Sequence, residues 1–249
     1  MLTNDDGIHA AGIQLLALEL SKKEGYKVTI VAPDQDRSGT SHSFSLFTPL
    51  RASRVTLRGL EDIESYAVNG TPTDCTKIGL CNLLDTKPDC IISGINHGQN
   101  LGVDTIYSGT VSAAMEGAIL GTPSMAVSRI GRRDEDFGTA IQATIDLLPA
   151  FLQSRCLLWN VNVPPTNGGE PRGVRFVPLA HQVYGGSYIE REDPFGLKYY
   201  WPSMGATYEC RPEEECDMLF AKDGYVTVTP LLSDFTDHEA LMRLQRGER

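Results

Sequence analysis

No C-x-x-C pair occurs among the six cysteines (Cys75, Cys81, Cys90, Cys156, Cys210 and Cys216) of this 249-residue chain. Zinc ribbons and fingers need tighter spacing, and disulfide scaffolds are shorter and denser in cysteine, so neither organises the fold. The cysteines read as reduced packing residues, with only Cys210 and Cys216 close enough in sequence to leave a bridge open. Nor does any apolar run approach the roughly 18 residues of a membrane span. The opening Met1-Leu2-Thr3-Asn4-Asp5-Asp6 lacks the basic n-region and apolar core of a secretory signal, so a cytoplasmic protein is expected. Basic residues are also scarce: 22 Lys and Arg against 32 Asp and Glu leave a net charge of −10. So acidic a chain lacks the field that a nucleic-acid polymer or an anionic membrane would require of a partner. A phosphate substrate would have to be met locally, by a metal ion or by helix N-termini. Finally, G-x-x-x-x-G-K-[ST] and a post-strand G-x-G-x-x-G are both missing, which removes the signatures of nucleoside-triphosphate motors and dinucleotide oxidoreductases.

What the chain does have, at 41% hydrophobic residues, is material for one large α/β domain, or one domain with an appendage. Its organising stretch is Thr3-Asn4-Asp5-Asp6-Gly7-Ile8-His9. A short apolar start meets two adjacent carboxylates, and an amphipathic helix through Ile13, Leu16 and Leu20 follows. In open α/β sheets ligands bind beyond the carboxyl ends of the strands, where this pair sits. Adjacent carboxylates repel unless a cation or proton separates them, and a hard oxygen-preferring divalent metal is the simplest answer. The plainer alternative is that one Asp caps the helix and the other is solvated.

Further along, Tyr26–Pro33 reads as a buried strand, followed by a polar loop from Asp34 to Ser43 that includes Arg37-Ser38-Gly39-Thr40. Strands are expected over Leu50–Leu57 and Ser65–Val68. A helix over Cys75–Leu84 should be capped by Thr71 with Pro72 in its first turn. The strand Asp89–Ser93 leads into a loop with three glycines, Gly94 to Tyr107, and Ser108-Gly109-Thr110, with a fourth, opens a helix over Val111–Leu120. That turn would offer unpaired backbone donors to a phosphate, although capping by Ser108 or Thr110 alone explains it equally well. A strand at Pro123–Ser128, a helix over Phe137–Leu152 with Asp134-Glu135-Asp136 at its positive end, and a strand at Cys156–Val163 complete a doubly wound pattern. The aromatic segments Val174–Leu179 and Lys198–Trp201 then read as a β-hairpin extension suited to subunit contact. A strand at Gly224–Leu231 and a short helix opened by Thr236 or Asp237 follow. The implied layout is a Rossmann-like core over 1–166, an arm over 167–222, and a returning strand and helix over 223–249.

Five ordered motifs give these loops a common meaning: Thr3-Asn4-Asp5-Asp6-Gly7-Ile8-His9; Ala32-Pro33-Asp34 with Arg37-Ser38-Gly39; Gly70-Thr71-Pro72-Thr73-Asp74-Cys75; Ser93-Gly94-Ile95-Asn96; and Tyr107-Ser108-Gly109-Thr110-Val111. Together they resemble the SurE family of metal-dependent phosphatases, and Tyr199-Tyr200-Trp201 with Asp223–Leu231 extend the resemblance almost to the last residue. The resemblance implies a Rossmann-like α/β core with a mainly parallel sheet in three layers and a C-terminal hairpin arm. It also implies a homodimer or homotetramer that hydrolyses nucleoside monophosphates with one divalent cation per subunit, Mg or Mn. Carried over by residue, Asp5, Asp6, Ser38 and Asn96 would be the metal ligands. Gly39, Ser108, Gly109 and Thr110 would cradle the phosphate, and Asp5 or Asp6 would orient the attacking water. Carboxylate, hydroxyl and amide oxygens suit Mg or Mn rather than zinc.

For protonating the leaving group the candidate is His238, four residues after Asp234, which could orient its imidazole. His9, His42 and His97 flank the ligand loops as replacements. The base is expected to touch arm residues between Gly185 and Tyr200. Only Met1 and Leu2 precede Thr3, against roughly five residues in a typical strand, which leaves open a shortened first strand or a sequence that starts late. Two other classes compete. A signalling receiver also places an acidic pair after its first strand, but Ser93 and Ser128-Arg129 stand where it needs Asp and Lys, and this chain is too long. A nucleotide-binding or assembly protein could keep the metal site without turnover.

Overall fold

The computed structural model describes residues 1–131, 136–166, 169–181, 188–202 and 215–247. Its sheet is built outward from its shortest strand, β1 (Leu2–Thr3), whose two residues are both buried. That strand is held by its neighbours: it pairs in parallel with β2 (Thr29–Pro33) on one side and β5 (Ile91–His97) on the other. Met1 O accepts from Ile92 N at 3.0 Å, and the N-terminal ammonium donates to Cys90 O at 2.9 Å. The loop that follows is thus anchored by the flanking strands.

Beyond β2 come β4 (Glu64–Val68), parallel, and the edge strand β3 (Ala52–Arg54), antiparallel to it. Beyond β5 come β6 (Ser124–Arg129) and β7 (Leu158–Val163), both parallel. The strands β2, β6 and β7 are buried throughout, as expected where both faces of a parallel sheet are covered. Alternate residues feed the two layers. Ile30, Ile92, Met125 and Val161 pack with Ile13 and Leu16 of helix α1 (Ala11–Ser21) and Leu148 and Phe151 of α5 (Gly138–Gln153). On the other face Val31 and Ile91 meet Cys75 of α2 (Pro72–Ile78), and Ala126 and Leu158 meet Val111 and Ala114 of α4 (Gly109–Ile119).

The last part of the sheet departs from the expected layout. The final strand, β11 (Val226–Pro230), inserts antiparallel beside β7, and β8 (Val174–Phe176) pairs with its far side. So β8, expected in the arm, belongs to the main sheet, because β11 leaves an edge open to it. The hairpin itself is β9 (Tyr188–Glu192) with β10 (Lys198–Pro202), a separate antiparallel pair. It is exposed along both strands, with Tyr188, Tyr200 and Trp201 solvent-facing. Helix α6 (Asp217–Lys222) packs on β11, and α7 (His238–Gln245) has no buried residue.

Three local features also differ from expectation. α2 starts at Pro72 with a reciprocal Thr71–Asp74 capping box and gives way after Ile78 to a π-helical turn, Gly79–Leu83. Gly79 lies there against Met1, whose Sδ would be 2.7 Å from an added Cβ. β5 runs four residues past Ser93, through a register shift between Ser93 and Asn96. Gly94 allows this, with φ +138° and a hypothetical Cβ only 2.4 Å from Val127 O. A short helix, α3 (Asp104–Tyr107), also interrupts the long loop. Asp134 and Glu135 lie outside the described residues. Cys75, Cys81, Cys90 and Cys156 are free, as expected of packing cysteines. Cys216 is disulfide-bonded, and Cys210 lies outside the described residues. Among the described residues no helix is long and apolar enough to cross a membrane.

Candidate active site

The chain leaves β1 towards β2 on one side and later crosses to β5 on the other, so the strand order reverses between β1 and β5. That reversal is where open α/β sheets form a ligand crevice. Asp5 and Asp6 follow shortly after β1, and Asn96 lies at the carboxyl end of β5, so the acidic pair and the amide meet at this point. Backbone bonds fix the loop: Arg37 N donates to Asp5 O at 2.7 Å and Ile8 N to Pro33 O at 2.8 Å. The Asn4 side-chain amide donates to Gly7 O at 2.9 Å. Gly7, at φ +94°, would set a Cβ 3.0 Å from the Gln35 backbone, so the Asp5 loop and the Ser38 loop lie against each other.

The two carboxylates are not equivalent. Asp5 is buried, and its Oδ1 accepts from the Thr110 hydroxyl. Burial pushes its pKa up to about 6, Thr110 opposes that rise, and the Asp6 charge adds to it. Gly109 is packed so close that a Cβ there would lie 2.8 Å from Asp5 Cβ. Asp6 is half-buried and accepts from His97 N at 3.2 Å. Asn96 donates through Nδ2 to Gly98 O at 3.1 Å, which leaves its carbonyl oxygen as the end available to a cation. Ser38 is exposed, with its N and Oγ both donating to Asp36 Oδ1, at 2.8 and 2.6 Å. Gly39, at φ +73°, has open space around it.

Helix α4 starts at this site because Ser108 Oγ accepts from Val111 N at 3.1 Å, which leaves Gly109 and Thr110 in the first turn. Thr110 serves Asp5 in this arrangement, so the helix start and the acidic loop are joined through one carboxylate. The structure thus brings together Asp5, Asp6, Asn96, Gly109 and Thr110, with Ser38 and Ser108 on the adjoining turns. It does not join His238 to them: His238 Nε2 lies 2.6 Å from Asp234 Oδ2, both residues exposed. Among the alternates, His9 is exposed. His42 pairs with Glu116 at 2.9 Å, and His97 lies against Arg129 and Phe137.

Among the described residues no group of three or more His, Cys, Asp or Glu is placed to hold a metal. The expected ligand set contains only two such residues, its other members being Ser and Asn. Two observations fit a hard cation there. Buried Asn4 Oδ1 has no hydrogen-bond partner, and the neighbouring Asp5 carboxylate is kept basic by its surroundings. The oxygen-only donor set matches Mg or Mn chemistry.

Sequence reasoning missed what holds the glycine-rich loop in place. Asn100 N donates to Asn162 Oδ1 at 2.8 Å, Asn100 Nδ2 to Ser128 Oγ at 2.7 Å, and Asn160 Nδ2 to Asn100 O at 2.8 Å, all buried. Asp217, wholly buried, accepts from Gly102 N at 2.8 Å and Ala180 N at 2.9 Å. The signal was present: Asn160 and Asn162 alternate within an otherwise apolar buried strand, which places two amides on one face. Replacing Asn162 with Val leaves the buried Asn100 N–H without its acceptor. We expect a loss of about 2 kcal/mol in urea unfolding; an unchanged midpoint would show that the loop does not depend on this anchor.

A doubly wound α/β protein with an acidic loop and a helix N-terminus meeting at its topological switch point has the architecture of the anion-binding α/β class. Within that class the comparisons are specific. Residues 1–186 match the family model described as Survival protein SurE. A 5'-nucleotidase SurE from Synechococcus sp. (strain JA-3-3Ab) is 43% identical over 249 residues, 99% of this chain and 96% of the relative. One from Desulfitobacterium hafniense (strain DSM 10664 / DCB-2) is 42% identical over 247 residues, with the same coverages. The crystal structure of the SurE protein from Aquifex aeolicus superposes with a TM-score of 0.82 at 34% identity, covering 100% of this chain and 98% of that one. The chain belongs to the SurE family.

Proposed function

We propose that the protein is a divalent-metal-dependent 5'-nucleotidase, a phosphoric monoester hydrolase that releases phosphate from nucleoside monophosphates. The observation that carries this is the meeting of two devices on one carboxylate: Asp5 belongs to the oxygen-donor set and is bonded by Thr110 at the start of α4. The curated relatives over nearly the full chain bear the same activity in their names.

Asp5, Asp6, Ser38 and Asn96 would hold the cation. When bound, a Mg or Mn ion supplies Lewis-acid polarisation of a phosphoryl oxygen and lowers the pKa of a water. The chain does the rest. The first turn of α4 presents backbone donors and the positive end of its dipole to the phosphate oxygens, with Ser108, Gly109 and Thr110 on one side and Gly39 on the other. The half-buried Asp6 orients the attacking water. His238, paired with Asp234 apart from this cluster, is the proposed proton donor to the departing sugar oxygen as the phosphorus–oxygen bond breaks. The exposed aromatic hairpin supports a homodimer or homotetramer, and the net charge of −10 supports a reading with no nucleic-acid polymer as partner.

The test is phosphate release from a panel of nucleoside monophosphates after EDTA treatment, then with Mg or Mn restored. Release should stop with EDTA and return with at least one metal. Folded protein that releases phosphate from no nucleotide under either metal would contradict the reading.

A further inference from the structure

A cavity of about 550 Å³ opens beside the first turns of α4, within the roughly 300–1,000 Å³ of small-molecule sites. Its walls are mainly apolar and include Val103, Ile106, Val111, Met115, Leu231 and Phe235. Among the described residues no Asp, Glu, Lys or Arg lines it, and its two ionisable side chains are His42 and His181. Two of its hydroxyls are engaged within the wall, Ser41 Oγ donating to Ile106 O and Ser112 Oγ to Ser108 O, each at 2.7 Å. His42 is paired with Glu116. A charged occupant would find no counter-ion there, whereas a flat, neutral, largely apolar one would be desolvated at little cost.

Continuity decides what that occupant is. The loop that carries Ser38 and Gly39 runs on to Ser41 and His42 in the cavity wall. Helix α4, which starts with Gly109 and Thr110, continues to Val111, Ser112 and Met115 in the same wall. Each element therefore leads from the phosphate end of the site straight into the cavity. We infer that this cavity is the leaving-group site, taking the base of a nucleoside monophosphate whose phosphate lies at the start of α4, with Phe235 and Leu232 closing its outer rim. No residue of the hairpin 188–202 lines it, while Leu179, Ala180 and His181 do, so among the described residues the base contacts come from the core and the segment before the hairpin. This assignment rests on the nucleotidase reading above.

Phe235 and Leu232 are 84% and 80% exposed, so Phe235→Ala and Leu232→Glu leave the packed core untouched. Two measurements on the full chain separate the outcomes: calorimetric titration with adenosine alone, and steady-state hydrolysis of AMP against ribose 5-phosphate. In both variants the adenosine Kd and the KM for AMP should rise about tenfold, the scale of a lost apolar contact in a pocket, with hydrolysis of ribose 5-phosphate unchanged. Equal losses on AMP and ribose 5-phosphate, or adenosine binding that neither variant weakens, would overturn the assignment. So would wild-type protein that binds no adenosine, as when a second copy fills the cavity. If the wild type hydrolyses no nucleotide, the nucleotidase reading fails separately and the adenosine titration still decides the cavity.

Discussion

Asp5→Asn should make the metal-free protein more stable while lowering metal-restored phosphate release by about a thousandfold, the several kcal/mol a coordinated cation supplies. The two effects share one cause. The carboxylate is buried, and its pKa stands at about 6 rather than 3.8. The native chain therefore holds this proton more tightly than the unfolded chain does. Its stability falls as pH rises between about 4 and 6 and stays lower above that window, by about 3 kcal/mol. Asparagine keeps an oxygen to accept from Thr110 but carries no charge to desolvate. Thermal unfolding without metal should show a midpoint raised by roughly 5–10 °C at pH 7.5, with the gain vanishing towards pH 4. Adding Mg or Mn should raise the midpoint of the wild type and not of the variant. A variant less stable than the wild type at pH 7.5 would mean that Asp5 is held by its hydrogen bonds more than it is penalised by burial.

The second large effect is expected at Gly109. An added methyl would lie 2.8 Å from Asp5 Cβ, 3.0 Å from Asp5 Oδ2 and 3.1 Å from Pro72 Cγ. These are firm neighbours, so either the acidic loop or the start of α4 must shift. A displacement of about 1 Å in a positioned group costs about a hundredfold in rate, and that loss is expected in kcat for Gly109→Ala. Stability should move little, because alanine is the better helix former by about 1 kcal/mol, which offsets the strain. Circular-dichroism melting beside kinetics checks both halves. Full activity would show that the loop and helix can separate without consequence.

Much of this site was legible because its chemistry is local in sequence. The Asp5-Asp6 pair, the Thr71 cap, the Ser108 turn and the buried β-branched strands each carry their own signal within a few residues. What escaped was set by distant partners. β5 continues through Gly94 because β6 offers Val127 O at close range, a fact about another strand. β8 joins the sheet because β11 returns to give it an edge, and nothing in Val174–Phe176 itself separates a core strand from an arm strand. The helix over Cys75–Leu84 ended early where Met1, far away in the chain, packs against Gly79. The apolar cavity draws on Val103, Val111 and Leu231, each of which reads in isolation as ordinary core.

The late return of β11 also orders the making of each molecule. Until Val226–Pro230 has left the ribosome, β7 keeps an open edge beside a parallel block that is otherwise complete. Such an edge invites pairing with a neighbouring chain. Leu231, Leu232 and Phe235 emerge directly after it. Asp5, Asn96 and Gly109 are thus all synthesised well before Leu231, Leu232 and Phe235, so the phosphate end of the site is made before the outer wall of the cavity.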